Sequence, residues 1–456
     1  MGKNMSRRAF ITALSTGAAA AATANVVRPI ESVTAFASKH KKLALFGGTP
    51  VAPDKQWPKW PYVDEKIVAR VADTVRTGKW CRKDIKGGNV DTFEQAYAEL
   101  LGARGCVCTG SGTQALHTVV EAMGIGPGDE VITSPYTDMG TIASILSARA
   151  LPVLADIDKY SFQIDPADVE RKITRHTKAI MPIHIMGQAC EMDKIMDIAG
   201  RHNLKVIEDA CQAHLAEYRG RKCGTIGDAG CFSFQSSKVL ACGEGGGIVS
   251  NNPKLLEDCY TVQNHGTDRL GRSVTIGPKY RMNELEGAIL LGHLELALEQ
   301  NAKRNENARY LYKRFEGFEP LVPQKLYEGG EHGSFYLYTW SFRDEHWDGI
   351  SREAFLKAVA AEGIKLSPYI KNGLHKEPWT DNILARREYR AMYTPARLEQ
   401  FKDELYLPGV DWVCDHMVML WAGGPLLAGK KDMDDLYNAI IKVYENREQL
   451  RGLEIG

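Results

Sequence analysis

Between about Gly105 and Ser250 the chain alternates short apolar runs with longer stretches in which apolar residues recur every three or four positions. The short runs are Cys106–Cys108, Glu130–Thr133, Pro152–Ala155, Ala179–Ile183, Lys205–Glu208, Ala229–Phe234 and Gly247–Ser250. Short, nearly continuous apolar runs are what strands buried on both faces require. Between them, Thr113–Met123, Met139–Arg149, Pro166–Ile173 and Met192–His202 carry helical spacing. Strands that alternate with helices predict crossover units, and hence an α/β fold with a mostly parallel seven-stranded sheet covered by helices.

Downstream the texture changes. Asn283–Arg314 is a long helical stretch without internal proline, and Tyr336–Phe342 alternates like an edge strand. Arg352–Glu362 reads as a helix, Ile364–Tyr369 as a strand and Met433–Glu448 as a closing helix. This α+β pattern predicts a smaller second domain. Upstream, Asp64–Arg76 has helical spacing, and Pro53, Trp57, Pro58, Trp60 and Pro61 read as an arm laid over a surface. The expected division is an arm with the large domain over 38–290 and a small domain over 291–456.

Residues 1–37 do not share this pattern. The pair Arg7–Arg8 precedes a mildly apolar, alanine-rich segment that runs to Val27, and Ala35-Phe36-Ala37 offers a small-residue cleavage site. A basic start, an apolar middle and such a site describe an export signal, and the paired arginines point to the twin-arginine route. The expected location is periplasmic or exported, with the cytoplasm as the alternative.

Charge changes the picture little. Lys+Arg and Asp+Glu both number 57, so no basic excess recommends a nucleic acid or membrane surface as partner. No apolar run approaches the roughly 20 residues of a transmembrane helix. The ten cysteines form no C-x-x-C pair, so no metal site is expected, and their scatter through apolar segments suits buried thiols.

Several familiar motifs fail. Gly243-Glu244-Gly245-Gly246-Gly247 lacks the Gly-Lys-Ser/Thr of a P-loop, and neither H-E-x-x-H nor G-x-S-x-G occurs. Three other features gain meaning together. Ser111-Gly112-Thr113 is a small-residue turn between a strand and a helix, where backbone N–H groups attract phosphate. Asp209 ends an apolar strand, the end at which open α/β sheets bind ligands. Ser233 lies near the end of another such strand, and Lys238 follows it. A phosphate turn, a carboxylate, a serine and a lysine are the parts that pyridoxal phosphate needs: an amine for its Schiff base, an acid for its ring nitrogen, and donors for its phosphate.

On these motifs, together with Gly126–Ile132, Pro182–Gly187 and Tyr280–Leu285, the chain resembles the DegT–DnrJ–StrS family of sugar aminotransferases, of fold type I, over nearly its whole length after the leader. The resemblance implies that Lys238 is the Schiff-base lysine and general base, and that Asp209 pairs with the pyridinium nitrogen. It implies that Gln212 contacts the ring's phenolic oxygen, and that Ser233 with Ser111, Gly112 and Thr113 holds the phosphate. It further implies a homodimer whose active site is shared, with Lys279 reaching the partner's phosphate. The chain departs from the family pattern at Asp138, where an aromatic residue is usual, so either Tyr136 substitutes or the ring's open face is polar. Arg281 is a candidate for the amino donor's carboxylate. Gly349–Phe355 and the segment from Trp421 to Asp435 resemble the glutamine:scyllo-inosose branch.

The implied reaction moves an amino group from glutamate or glutamine to a keto sugar or keto-cyclitol. Two alternatives stand beside it: a pyridoxal-phosphate-dependent sugar dehydratase, in which the lysine position is typically histidine, and a non-catalytic exported sugar-binding protein. The export reading has its own test. Replacing Arg7 and Arg8 together with lysine should leave the full-length protein in the cytoplasm. Cytoplasmic wild-type protein that keeps its own N-terminus would remove that reading and leave the chemistry standing.

Overall fold

Neighbouring residues on the strands point to opposite faces of a sheet and enter different cores. Val131, Ala179, Ile207 and Cys231 pack on one side, with Leu116 and Val119 of the Gly112–Ala122 helix. Ile132, Ile180, Val206 and Phe232 pack on the other, with Ile195 and Ile198 of the Met192–His202 helix. This double burial accounts for the uninterrupted apolar runs. The computed structural model, which describes residues 41–453, builds them into β1 (Gly105–Thr109), β2 (Glu130–Thr133), β3 (Leu151–Leu154), β4 (Thr177–Ile180) and β5 (Lys205–Asp209). A short hairpin of β6 (Glu217–Tyr218) and β7 (Arg221–Lys222) precedes β8 (Ala229–Ser233) and β9 (Gly246–Ser250).

The seven-stranded sheet has the order β1-β9-β8-β5-β4-β2-β3. It is parallel from β8 through β3, and β9 runs antiparallel to both its neighbours. The expected fold class is the observed one. The C-terminal ends of β1, β2, β5 and β8 therefore meet the start of β9 at one rim. Helices leave that rim from polar caps: Ser111 accepts the Gln114 N–H, and Asp138 accepts that of Gly140.

A second core surrounds a three-stranded antiparallel sheet of β10 (Leu321–Pro323), β11 (Leu337–Phe342) and β12 (Met417–Trp421). The expected edge strand is its central one. The alternation that suggested an edge comes from Thr339 and Ser341, which are buried; Thr339 Oγ1 donates to Gln324 Oε1 at 3.0 Å. The strand expected at Ile364–Tyr369 is reduced to a single bridge between Ser367 and Met419, since Pro368 has no N–H to extend the ladder. Asn283–Arg314 is two helices, Glu284–Leu294 and Ala297–Arg314. The boundary expected at 290/291 falls inside the first of these, and all the described residues belong to one compact unit. Residues 1–37, with Arg7 and Arg8, lie outside the described residues. Among the described residues no helix is long and apolar enough to cross a membrane, and all ten cysteines are free, eight of them buried.

Two buried polar residues tie distant segments together. Glu362, fully buried, accepts from the N–H groups of Ala44 (2.9 Å) and Val51 (3.0 Å) and from Lys442 Nζ (2.7 Å). It thereby fastens the first described residues to the closing helix, Lys430–Glu445. His214 sits among Tyr97, Phe232 and Phe234, in the core beneath β8. Its Nε2 donates to the Ser233 carbonyl at 2.8 Å, which leaves Nδ1 to accept the Tyr97 hydroxyl at 2.8 Å. Burial pushes its pKa down to about 3; the Ser233 carbonyl opposes this, and the charges of Lys238 and Arg304 assist it.

Glu362→Ala should cost about 3–5 kcal/mol, because it leaves the buried Lys442 without its carboxylate and with only the Thr49 carbonyl. Urea unfolding reads this directly, and a loss below about 1 kcal/mol would contradict the assigned role. His214 is neutral when folded, whereas the unfolded chain protonates it below its ordinary value of 6.5. Its contribution is thus complete above that value and declines as the pH falls toward about 3. His214→Gln should flatten the fall in stability between pH about 6.5 and about 4 by a few kcal/mol. Parallel curves for variant and wild type would show that His214 does not drive it.

Candidate active site

The rim where the strand ends converge opens into a cavity of about 460 Å³. Its lining includes Ser111, Gly112, Thr113, Asp138, Asp209, Gln212, Ser233 and Lys238, eight of the residues singled out from the sequence. Tyr136, Lys279 and Arg281 are not in the lining. Tyr136 is 1% exposed and packs edge-on against Tyr369, which does line the cavity, so the place facing the opening belongs to Asp138. Arg281 donates to Asn264 Oδ1 at 3.2 Å. Lys279 is exposed on the segment that leads to the Glu284–Leu294 helix.

Strand periodicity separates the two acids of β5. Glu208 turns into the protein, where its carboxylate accepts from the backbone N–H groups of Gly224 (2.7 Å), Ile226 (2.6 Å) and Gly227 (2.6 Å) and meets His184 Nε2 at 2.9 Å. Asp209 turns into the cavity. Its Oδ2 accepts from Thr141 Oγ1 at 2.7 Å and its Oδ1 from the Cys211 N–H at 3.2 Å. Thr141 is in turn 2.9 Å from Thr137 Oγ1. The carboxylate is therefore held in one orientation by two donors.

At the opposite end, the Gly112–Ala122 helix begins against β8. A Cβ on Gly112 would stand 2.8 Å from Ser233 Cβ and 2.9 Å from Cys211 Sγ, so only glycine lets the helix start come this close. The first N–H groups of a helix have no intrahelical acceptor, and here they open beside the hydroxyls of Thr113 and Ser233. Lys238 lies beyond, in a turn closed by its own N–H to the Gln235 carbonyl at 2.8 Å. Its Nζ stands 4.4 Å from the centre of the Tyr336 ring. Tyr336 is fixed by Ser237 Oγ, 2.9 Å from its hydroxyl.

Gln212 is oriented at both ends. Its Oε1 accepts the Met186 N–H at 2.7 Å and its Nε2 donates to Tyr369 Oη at 2.9 Å. Met186 adopts a left-handed φ of 64°, costly for a residue with a side chain, and that conformation aims its N–H at the amide. Thr141, Tyr336, Tyr369, Ser237 and Glu244 also line the cavity and escaped the reading of the sequence. Thr141 had a local cue, being in the first turn of the helix that Asp138 caps, as did Ser237 beside Lys238 and Glu244 in the glycine cluster; Tyr336 and Tyr369 arrive from the C-terminal half.

The residues fit pyridoxal phosphate. An amine, a fixed carboxylate and a helix start with hydroxyls occupy one cavity, and the glycine at 112 keeps the phosphate end clear. Lys238 would carry the cofactor, Asp209 would face its ring nitrogen, Gln212 would flank the ring, and Ser111 to Thr113 with Ser233 would hold its phosphate.

Comparison with known proteins agrees. A model of the DegT/DnrJ/EryC1/StrS aminotransferase family matches residues 61–411. The L-glutamine:2-deoxy-scyllo-inosose aminotransferase of Micromonospora echinospora is 32% identical over 434 residues, 90% of this chain and 99% of that one. The L-glutamine:scyllo-inosose aminotransferase of Streptomyces griseus is 31% identical over 424 residues, 89% and 98% of the two chains. Among solved structures, the aminotransferase from Psychrobacter cryohalolentis superposes with a TM-score of 0.75 at 25% identity, covering 86% of this chain and 99% of that one. A match of this extent, on this cavity, makes the chain a member of the DegT/DnrJ/EryC1/StrS aminotransferase family and an enzyme that uses pyridoxal phosphate.

Proposed function

We propose that the enzyme moves the amino group of L-glutamine onto the ketone of a cyclitol of the scyllo-inosose type, and that it does so as a homodimer exported by the twin-arginine route. The cavity carries the reading: a lysine, a fixed carboxylate and a phosphate-shaped helix start are assembled, while the mouth is acidic and polar. The relatives' substrates support the choice of donor and acceptor.

Bound pyridoxal phosphate supplies an aldehyde for the amino group and a ring that accepts electrons. Asp209, fixed by Thr141, holds the proton on the ring nitrogen. Lys238 Nζ takes the α-proton of glutamine in the first half-reaction and delivers a proton to the former ketone carbon of the acceptor in the second. Glutamine leaves as its 2-oxo acid, and the acceptor leaves as an amine. Asp138 spends Oδ1 on the Gly140 N–H, which leaves Oδ2 to accept a substrate hydroxyl, and Glu244 offers a second carboxylate. Two carboxylates at the opening suit an uncharged polyol better than a sugar bearing a diphosphate. The lysine at 238 weighs against the dehydratase reading, and the presence of Lys238, Asp209, Gln212 and Ser233 in one cavity weighs against a non-catalytic sugar binder.

For the homodimer, the support is the surface beside Lys279. Leu270 is 78% and Ile276 93% exposed, an apolar face that a second copy would cover. The leader with Arg7 and Arg8 supports export.

The test uses glutamine labelled with heavy nitrogen at its amino group, with keto-cyclitols and nucleotide-linked keto sugars as acceptors. Label should pass to the cyclitol, and Lys238→Ala should abolish transfer. Amination confined to the nucleotide-linked sugars would sink the acceptor reading. Mixing inactive Lys238→Ala chains with weakened Lys279→Ala chains should restore activity, because one site of the heterodimer then has both lysines. Verified heterodimers without recovery would exclude a shared site.

A further inference from the structure

The segment Trp57–Pro61 does not line the cavity, yet it grips the lysine from behind. Trp60 Nε1 donates to the Lys238 carbonyl at 2.9 Å. The indole is held in turn: the Arg304 guanidinium lies 4.8 Å from its centre, and His293 meets it edge-on at 5.7 Å. Arg304 is 1% exposed and makes no salt bridge with a carboxylate among the described residues. It donates through Nε (3.3 Å) and Nη2 (2.9 Å) to the Gly423 carbonyl. An unpaired buried guanidinium is an expensive way to support a core, and a leucine or methionine would fill the same space without that cost. The turn it holds is shaped around the arm. A Cβ on Gly424 would stand 2.2 Å from the Pro58 carbonyl, and one on Gly423 would stand 3.2 Å from Trp60 Cδ1.

We propose that Trp60 is a positioning residue for Lys238, and that Arg304 and the Gly423–Gly424 turn hold it in place. The Trp60 indole ties the arm to the main chain of the lysine turn, and Arg304, packed on that indole, is bonded to the main chain of the C-terminal turn. Where the Lys238 backbone stands decides where Nζ meets the cofactor's aldehyde, and a displacement of about 1 Å is costly to a reacting pair. The proposal rests on Lys238 being the residue that carries the cofactor.

The test compares two ligands of the full-length protein. Pyridoxal phosphate can attach to a lysine; pyridoxine 5′-phosphate has the same ring and phosphate but an alcohol in place of the aldehyde, and cannot. Trp60→Phe keeps an aromatic ring beside Arg304 and removes the N–H together with part of the indole. It should weaken pyridoxal phosphate about three- to tenfold, the worth of one hydrogen bond, and leave pyridoxine 5′-phosphate unchanged. Gly424→Ala, which pushes the arm away with Trp60 intact, should show the same selective loss. A merely structural arm would weaken both ligands by one factor, and that result, or no change in either, overturns the proposal. Lys238→Ala separates the two readings: if it keeps the wild-type ratio of the two affinities, Lys238 is not the attachment residue and the parent reading fails first.

Discussion

The site depends on one close approach of main chain to main chain. Gly246 begins β9 opposite both Thr109 of β1 and Ser233 of β8, and a Cβ there would lie 2.1 Å from the Ser111 carbonyl. Because nothing projects from Gly246, the strand that runs against the others can lie between β1 and β8, and the helix start after β1 can rest on the end of β8. The register does the rest. Asp209 pairs with Cys231, two residues before Ser233, so the carboxylate and the phosphate end are separated by the geometry of a sheet rather than by a loop.

Charge is then distributed by strand parity. Glu208 and Asp209 are adjacent and chemically alike, yet one organises the Gly224–Gly227 loop while the other faces the cavity. A shift of register by one residue would exchange their roles and destroy both. The backbone donors on Glu208 and its contact with His184 resist that shift, since freeing a buried carboxylate from four partners is far costlier than losing one strand hydrogen bond.

How far the sequence was legible follows from the same physics. The large sheet was readable because burial on both faces leaves uninterrupted apolar runs, and Asp209, Ser233 and Lys238 were readable because each lies at or just beyond the end of such a run. The three-stranded sheet was not, because its central strand hides Thr339 and Ser341 through hydrogen bonds that no local pattern reveals. The proline-rich arm was readable as an arm, but its partner was not: Trp60 meets Lys238 at a separation of 178 residues along the chain. Tyr336 and Tyr369 were missed for the same reason. They join the cavity only after the C-terminal segment folds onto it, and an isolated tyrosine carries no mark of that destination.

The free cysteines have a consequence for redox chemistry. Burial pushes the thiols of Cys223 and Cys414 up to about 12, and the thiol of Cys211, beside the cavity, is also raised by burial and by Asp209. At neutral pH, groups of this kind present roughly one thiolate in a hundred thousand, and it is the thiolate that attacks a disulfide or a peroxide. Disulfide exchange through these three thiols is therefore slow in the folded chain. Half-buried Cys81, which does not line the cavity, is where electrophilic labelling of the native enzyme would begin.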